Sequence, residues 1–368
     1  MADGFNVGVN PRVVVVGGGL VGTSAALAIA DAGGKVELLT RPHAGAASEA
    51  AAGMLAPSME LARTDISEIA IAARDMFPDF VRQLGERSGI RIELSRAGLL
   101  QLAADDPDAA TLAGRARGRA RWLDSEEMTR VEPQLVAAHG GALWPHDGAV
   151  NNTQLLAALH AVLLHHDNVV VRHAAATAIA TTAAGITVLT DDGMRVPGTH
   201  VVVAAGAWSG QLEGARFATA VEPVRGQLVE FDREFVTHVV YGPDCYLVPR
   251  AGCTIAGSTM ERVGFDAGTT DEAVRRLTAS AIALCPSLSG ARTRSWGGLR
   301  PVTPDLLPLL GPDPANPAVI YACGHSRNGV LLAPLTAVLI RQLIFEERLT
   351  FEIHRFRPER FADTFTVT

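Results

Sequence analysis

Residues 12–40 have the sequence RVVVVGGGLVGTSAALAIADAGGKVELLT, which decides the fold of the N-terminal part. The valine run over 12–16 is typical of a strand buried on both faces in a parallel sheet. The alanine-rich stretch from Thr23 to Ala32 predicts a helix that ends at two glycines, and 36–40 predicts a second strand. A strand, a glycine turn, a helix and a strand within about thirty residues indicate a βαβ unit.

The glycines between the first strand and the helix predict a dinucleotide site. Gly17, Gly19 and Gly22 form the pattern GxGxxG in the strand-to-helix context that it requires. The first glycine allows the tight turn, the second lets the backbone approach a pyrophosphate, and the third lets helix and strand pack closely. The helix N-terminus adds amide donors and a partial positive charge for the phosphates. A glycine-rich turn that serves packing alone is the alternative.

The end of the second strand leaves the type of dinucleotide open. An acidic side chain usually accepts hydrogen bonds from the ribose hydroxyls there, whereas this chain has Thr40 followed by Arg41. Glu37 lies inside the strand and is a poor substitute. A neutral residue beside an arginine favours NADP, whose additional phosphate the arginine could bind.

The composition argues against several classes of function. The chain has 368 residues, 48% of them apolar, and a net charge of −7 without a basic stripe. We therefore expect no binding to nucleic acid or to an anionic membrane surface. Lys35 is the only lysine and lies in a predicted turn, so a Schiff-base mechanism is not expected.

Cysteine usage and the apolar stretches predict a cytoplasmic protein. The four cysteines form no CxxC pair and no zinc-type spacing with histidine, so we expect no metal site, no disulfide framework and a reducing compartment. Residues 1–10 carry no positively charged side chain and do not resemble a signal peptide. The late apolar stretch 330–345 contains Pro334 and Arg341 and is too short to span a bilayer.

The remaining pattern predicts two interleaved domains. Buried-type strands recur over 169–172, 200–206 and 319–322, whereas 221–258 alternates as an antiparallel sheet with one covered face does. The other predicted elements are helices over 67–84 (ending at Gly85), 152–164 (capped by Asn152 or Thr153), 271–284 and 329–345, and a hairpin over 186–196 that turns at Asp192-Gly193. The fold class is therefore α/β (α+β overall), with a Rossmann-like domain interleaved with an antiparallel-sheet domain.

Two further segments carry a specific pattern. Residues 48–57, SEAAAGMLAP, would let the backbone approach a flat ring system, although a run of small residues also suits a helix–helix contact. Residues 324–332, GHSRNGVLL, open the last predicted helix. Amides there could bind a ring carbonyl, and the helix dipole could stabilise negative charge on a reduced ring.

With these segments the sequence resembles the FAD-dependent amine oxidases of the D-amino-acid oxidase group, and among them the glycine oxidases of the thiazole-biosynthesis type. The resemblance runs from about Arg12 to Leu343. It rests on GGGLVG, SEAAAGMLAP, VVVAAGAWS, CYLVPR, GGLRPVTPDLLPLLGP and GHSRNGVLLAP. It implies an FAD-binding domain over 11–90, 146–215 and 291–345, and a substrate-binding domain over 91–145 and 216–290.

The resemblance also implies a reaction. Glycine or another small amino acid, such as sarcosine or a short D-amino acid, would be oxidised to the imine, and O₂ would reoxidise the flavin and give H₂O₂. The product would feed thiazole (thiamine) synthesis. A homo-oligomer is implied, and FAD is expected to be non-covalent because Gly298-Leu299-Arg300 stands where covalent relatives carry a flavin-linked cysteine.

The resemblance places the site on named residues. Arg300 matches the arginine that binds the substrate carboxylate, and Arg327 matches a second arginine beside it. Tyr246 matches an active-site tyrosine, and Tyr241 is nearby. The positions that match flavin-binding residues are Gly17, Gly19, Leu20, Val21, Gly22, Thr40, Arg41, Ala47, Ser48, Ala52, Gly53, Met54, Ala176, His325, Ser326, Arg327, Asn328, Gly329, Val330 and Leu331. A structural role is expected for His325, and a surface position for His160, His165 and His166.

Three alternatives stay open at this stage. Thr40-Arg41 favours an NADP-dependent oxidoreductase. An FAD amine dehydrogenase that uses an acceptor other than oxygen has the same motifs. A flavin-binding subunit without catalysis is the third, although Arg300, Arg327 and Tyr246 together argue against it.

Overall fold

The structure, a computed structural model, describes residues 10–60, 66–182 and 185–365. Residues 1–9, where we expect no signal peptide, lie outside these ranges. The α-helices are α1 (Leu20–Asp31), α2 (Ala47–Ala50), α3 (Ser67–Ser88), α4 (Asp106–Ala116), α5 (Ser125–Val131), α6 (Asn152–Leu164), α7 (Asp271–Leu284) and α8 (Gly329–Ile344). Short 3₁₀ helices lie at Pro57–Glu60, Gly206–Gln211, Arg216–Ala220, Pro286–Leu288, His354–Phe356 and Pro358–Phe365.

The described residues also form twenty β-strands. They are β1 (Arg12–Val16), β2 (Lys35–Leu39), β3 (Met54–Leu55), β4 (Leu94–Ser95), β5 (Leu99–Leu102), β6 (Arg121–Leu123), β7 (Gly141–Trp144), β8 (Gly148–Val150), β9 (Val169–Arg172), β10 (Ala176–Thr182), β11 (Gly185–Thr190), β12 (Arg195–Gly198), β13 (His200–Val203), β14 (Glu222–Phe231), β15 (Val239–Tyr241), β16 (Tyr246–Arg250), β17 (Cys253–Gly257), β18 (Thr293–Val302), β19 (Leu309–Pro312) and β20 (Val319–Cys323).

The first sheet confirms the predicted parallel architecture. Its strand order is β19-β20-β13-β1-β2-β9, and β1 pairs in parallel with both β2 and β13. Val13 and Val15 belong to the core cluster that contains residues of α1, α3, α6 and α8, whereas Val14 and Val16 belong to the cluster that contains residues of the β10-β11-β12 sheet. The valine run is continuous because both faces of β1 are covered.

The second sheet confirms the antiparallel interpretation of 221–258. Its order is β18-β14-β17-β16-β15-β5-β7-β6, antiparallel except for the parallel pair β15 and β5. Helix α7 covers one face through Leu277 and Ala281. The other face packs Leu228, Val248 and Ile255 against the small residues that follow α2. The functional segments therefore meet between the two sheets.

One strand does not follow the expected domain boundaries. The resemblance assigns residues 291–345 to the FAD-binding part, but β18 pairs with β14 along ten residues and so belongs to the eight-stranded sheet. The reason is that β14 is equally long and offers β18 a complete hydrogen-bonding edge. The other boundaries stay a prediction.

Three helix ends also differ from the predictions. Helix α1 begins at Leu20, three residues earlier than expected. Helix α3 continues through Gly85 and ends before Gly89, whose φ of 70° stops it in the left-handed region. Helix α6 is capped by Asn151, whose side chain accepts from the amide of Gln154, because the predicted cap Asn152 is turned into the protein.

Candidate active site

The glycine turn between β1 and α1 leaves no space for side chains. Gly17 has a φ of 121°, and its amide donates to the carbonyl of Leu39 at 2.9 Å. A Cβ on Gly17 would overlap the carbonyl of Ala204, and one on Gly22 would overlap the carbonyl of Gly17. The close packing holds the N-terminus of α1 against the carboxyl ends of β1 and β13, as a pyrophosphate site requires.

The strand-end residues Thr40 and Arg41 lie beside this turn. The hydroxyl of Thr40 lies against Gly18, and the Thr40 amide donates to the carbonyl of Arg172 at 2.9 Å. Exposed Arg41 forms an ion pair with Asp191, whose carboxylate also accepts from the amide of Ala175. The ion pair brings β10, which begins at Ala176, next to the end of β2. Asp191 therefore links Arg41 to Ala175, the residue before β10, as an adenosine site formed by these two segments would need.

The small-residue segment lies between the two sheets and not in a contact between two long helices. The hydroxyl of Ser48 accepts from the amide of Leu20 at 2.9 Å, which joins α2 to the first turn of α1. On the other side, a Cβ on Gly298 would overlap the Cβ of Ala50. Gly53 has a φ of 81° and passes so close to the carbonyl of Val150 that no side chain would fit.

Two polar residues that sequence reasoning missed hold this segment. Asn152 is fully buried, and its Nδ2 donates to the carbonyl of Ser48 at 2.7 Å. Arg250, at the end of β16, donates to the Asn152 side chain and to the carbonyl of Ala52. No spacing rule connects positions about one hundred residues apart, so only the fold could identify this contact.

The loop before α8 is attached to the end of β18. The amide of Ser326 donates to the carbonyl of Pro301 at 2.8 Å, which places the loop next to Arg300. The amides of Gly329, Val330 and Leu331 lie in the first turn of α8, where a helix supplies no internal acceptor. These amides are suited to the ring carbonyl that the sequence analysis anticipates.

His325 has the structural position that the sequence predicts. It is 2% exposed, and its Nε2 lies 3.1 Å from the hydroxyl of Thr336 on α8. Burial lowers the pKa of His325 to about 4, so the imidazole is neutral near pH 7.

The low pKa predicts a loss of stability in acid that depends on His325. An unfolded chain binds a proton on this imidazole near pH 6.5, whereas the folded protein does so only near pH 4. The unfolding free energy therefore falls as the pH is lowered from 6.5 towards 4, by about 2 kcal/mol at pH 5. We expect the unfolding free energy of FAD-saturated His325→Asn, measured with denaturant, to fall by about 2 kcal/mol less than that of the parent when the pH is lowered from 7.5 to 5. An identical loss in both proteins would contradict the assignment.

The substrate-side residues Arg300 and Tyr246 lie on one face of the eight-stranded sheet. Arg300 shares its face of β18 with Trp296, whose indole donates to the carbonyl of Ala50 at 2.9 Å. Tyr246 is half-buried on β16 beside Tyr241, and burial raises its pKa while the charge of Arg300 opposes that rise. The phenol is therefore neutral near pH 7 and able to donate a hydrogen bond.

The remaining residues occupy different positions. Arg327 is exposed and donates to the carbonyl of Met59 at 3.4 Å. The prediction that His160 is a surface residue is wrong: it is half-buried, and its Nε2 lies 2.9 Å from the carbonyl of Gly18. The reason is that α6 packs against the glycine turn. His165 is exposed, which confirms its predicted surface position. His166 is half-buried and pairs with Asp31.

No helix in the described ranges is long and apolar enough to cross a membrane. Within the same ranges, no cluster of three histidine, cysteine or acidic side chains has the arrangement of a metal site.

A glycine turn at the end of a parallel sheet, a small-residue segment and a helix N-terminus facing a second sheet are the features of a dinucleotide-binding protein. The glycine turn, the small-residue segment and the first turn of α8 fit FAD. Their glycines exclude side chains, and the helix amides are directed at the site. Residues 12–343 match the sequence profile of the DAO family, described as FAD dependent oxidoreductase. The chain belongs to this family, so its cofactor is FAD, and the NADP alternative is not favoured.

Named relatives cover nearly the whole chain. The bifunctional protein ThiO/ThiG of Synechocystis is 35% identical over 96% of this chain, which spans 54% of that longer protein. The glycine oxidase of Pseudomonas putida is 33% identical over 95% of this chain and 98% of its own length. The crystal structure of glycine oxidase from Geobacillus kaustophilus superposes with a TM-score of 0.89 at 31% identity, covering 95% of this chain and 99% of that one.

Proposed function

We propose that this chain oxidises glycine or another small amino acid, such as sarcosine or a short D-amino acid, to the imine. Water then hydrolyses the imine to the oxo acid, and O₂ is reduced to H₂O₂. The observation that carries the proposal is the placement of Arg300 and Tyr246 on one face of the sheet, next to the loop that opens α8. Relatives named glycine oxidase support the substrate class.

Each residue has a task that its chemistry permits. The planar guanidinium of Arg300 binds a substrate carboxylate through two hydrogen bonds, and neutral Tyr246 adds a third donor. Arg327, in the loop before α8, adds positive charge at the same end of the sheet. Placement and electrostatics are sufficient because FAD, when bound, supplies the acceptor for a hydride from the substrate α-carbon. A protein base is not needed when the substrate amine is neutral.

The residues proposed to hold FAD divide by the part of the cofactor that they face. The β1–α1 turn would bind the pyrophosphate. The adenosine would be bound by Thr40, Arg41 and the start of β10. The segment from Ala47 to Met54 and the first turn of α8 would hold the ring.

Non-covalent attachment of FAD is part of the proposal. Cys323 is the cysteine nearest in sequence to the loop before α8, and burial raises its pKa to about 12. A thiol that stays protonated in the hydrophobic core is a poor nucleophile, as expected of a core residue.

The physiological setting rests on the relatives. The name ThiO/ThiG supports a role in thiazole (thiamine) synthesis, and we propose that the chain supplies its product to that process from the cytoplasm. A homo-oligomer is proposed on the resemblance to glycine oxidases.

The test is an anaerobic visible spectrum of the purified protein before and after glycine is added. We expect a yellow protein whose flavin band glycine bleaches, followed by formation of one H₂O₂ per imine when air is admitted. Bleaching without H₂O₂ would support a dehydrogenase that uses another acceptor. Failure of glycine, sarcosine and D-alanine to bleach a yellow protein would contradict the proposal and favour a non-catalytic flavin-binding subunit.

A further inference from the structure

Arg300 lies directly on a glycine of the neighbouring strand. Strand β14 pairs with β18 so that Val224 is opposite Arg300, and Gly226 follows on the same face. A Cβ built on Gly226 would overlap the central carbon and both terminal nitrogens of the Arg300 guanidinium. The guanidinium therefore occupies the volume that any other residue at position 226 would need.

Tyr246 lies on a second glycine in the same way. Gly257 of β17 is the cross-strand partner of Tyr246, and a Cβ there would overlap the phenol ring and its oxygen. Neither Gly226 nor Gly257 has a positive φ, so a left-handed backbone is not the reason for glycine at either position. The space that a side chain would need at each glycine is filled by the two residues assigned to the substrate carboxylate.

Ser258, which follows Gly257 in the chain, binds Arg300. Its hydroxyl accepts a hydrogen bond from Nη2 of Arg300 at 2.6 Å, and Nη1 donates to the carbonyl of Thr259 at 3.1 Å. Arginine only donates, so the serine keeps its own proton for another acceptor. Ser258 also lies close enough to Tyr246 to oppose, with the charge of Arg300, the rise that burial causes in the pKa of the phenol. Arg300 keeps its other N–H groups for a ligand.

We propose that Gly226, Gly257 and Ser258 form a floor that positions Arg300 and Tyr246 and so determines where a substrate carboxylate binds. These three are positioning residues that act through the arginine and the tyrosine. The inference rests on the proposed function, because it assumes that the ligand at this site is a carboxylate. It adds residues that the motifs of the sequence did not identify.

The test compares Gly226→Ala with Gly114→Ala in the FAD-loaded enzyme. Gly114 is exposed on α4, where a Cβ would meet nothing within 4 Å. Acetate, a carboxylate that cannot be oxidised, is titrated against the flavin spectrum, and the KM for glycine is measured in parallel. We expect Gly226→Ala to raise both the acetate Kd and the KM by about tenfold or more, with a smaller change in kcat, because the guanidinium must leave its position. Gly114→Ala should match the parent.

A second pair of variants applies if Gly226→Ala does not fold. Ser258→Ala should raise the acetate Kd by about tenfold, and Ser258→Thr, which keeps the hydroxyl, should restore most of the affinity. The proposal would be wrong if a folded, yellow Gly226→Ala or Ser258→Ala protein had an unchanged Kd for acetate and an unchanged KM for glycine. A parent enzyme that binds neither acetate nor glycine would instead contradict the proposed function, so the two failures are distinguishable.

Discussion

Replacing Arg300 by alanine is expected to lower kcat/KM for glycine by about thirtyfold to several thousandfold, which corresponds to about 2–5 kcal/mol of lost recognition. The reason is that a carboxylate buried in the site would lose both hydrogen bonds and its counter-ion together. A lysine at this position should recover only part of the loss, because an ammonium group does not bind a carboxylate in a planar, bidentate manner. The measurement is steady-state H₂O₂ production over a range of glycine concentrations.

The matched control is Arg294→Ala on the same strand. Arg294 is 72% exposed and pairs with Glu230 at the surface, so its removal should change neither the FAD content nor the KM. Retention of FAD in Arg300→Ala would show that the loss concerns the substrate and not the cofactor. An Arg300→Ala enzyme with unchanged KM and kcat would show that the carboxylate is bound elsewhere.

Replacing Gly22 by alanine is expected to give a protein that is colourless after purification. A Cβ at this position would overlap the carbonyl of Gly17, which is backbone within the same turn and can move only if α1 moves away from β1. Overpacking of this kind costs about 1–3 kcal/mol of unfolding free energy. The affinity for FAD should be affected more than the stability, because the amides of the α1 N-terminus would no longer face the pyrophosphate.

The measurement for Gly22→Ala is FAD affinity of the apoprotein by titration, with thermal unfolding as the parallel readout. We expect the Kd for FAD to rise by at least about tenfold, while Gly114→Ala binds FAD like the parent. A folded Gly22→Ala protein that retains stoichiometric FAD would show that the turn tolerates a side chain and would remove the packing argument for GxGxxG.

Local pattern was sufficient for the first sheet and for the glycine turn. The valines of β1, the helix α1 and the hairpin at Asp192-Gly193 are each decided by neighbours within a few residues. The same reasoning was wrong at Gly85, where packing of α3 against α6 and α8 outweighs the low helix propensity of a single glycine. It was also wrong for His160, whose contact with Gly18 spans 142 positions.

The sequence by itself determined that this protein has a Rossmann-like dinucleotide fold, because hydrophobic periodicity and the glycine turn are local properties. The resemblance to the FAD-dependent amine oxidases came separately, from motifs such as SEAAAGMLAP and GHSRNGVLLAP. Only the tertiary structure showed that Arg300 and Tyr246 lie on Gly226 and Gly257 and that Ser258 binds Arg300. It also decided that Arg250 and Asn152 hold the segment beside α1. The physical reason is that strand order and register place residues far apart in the chain within a few ångströms, and neither leaves a signal at any single position.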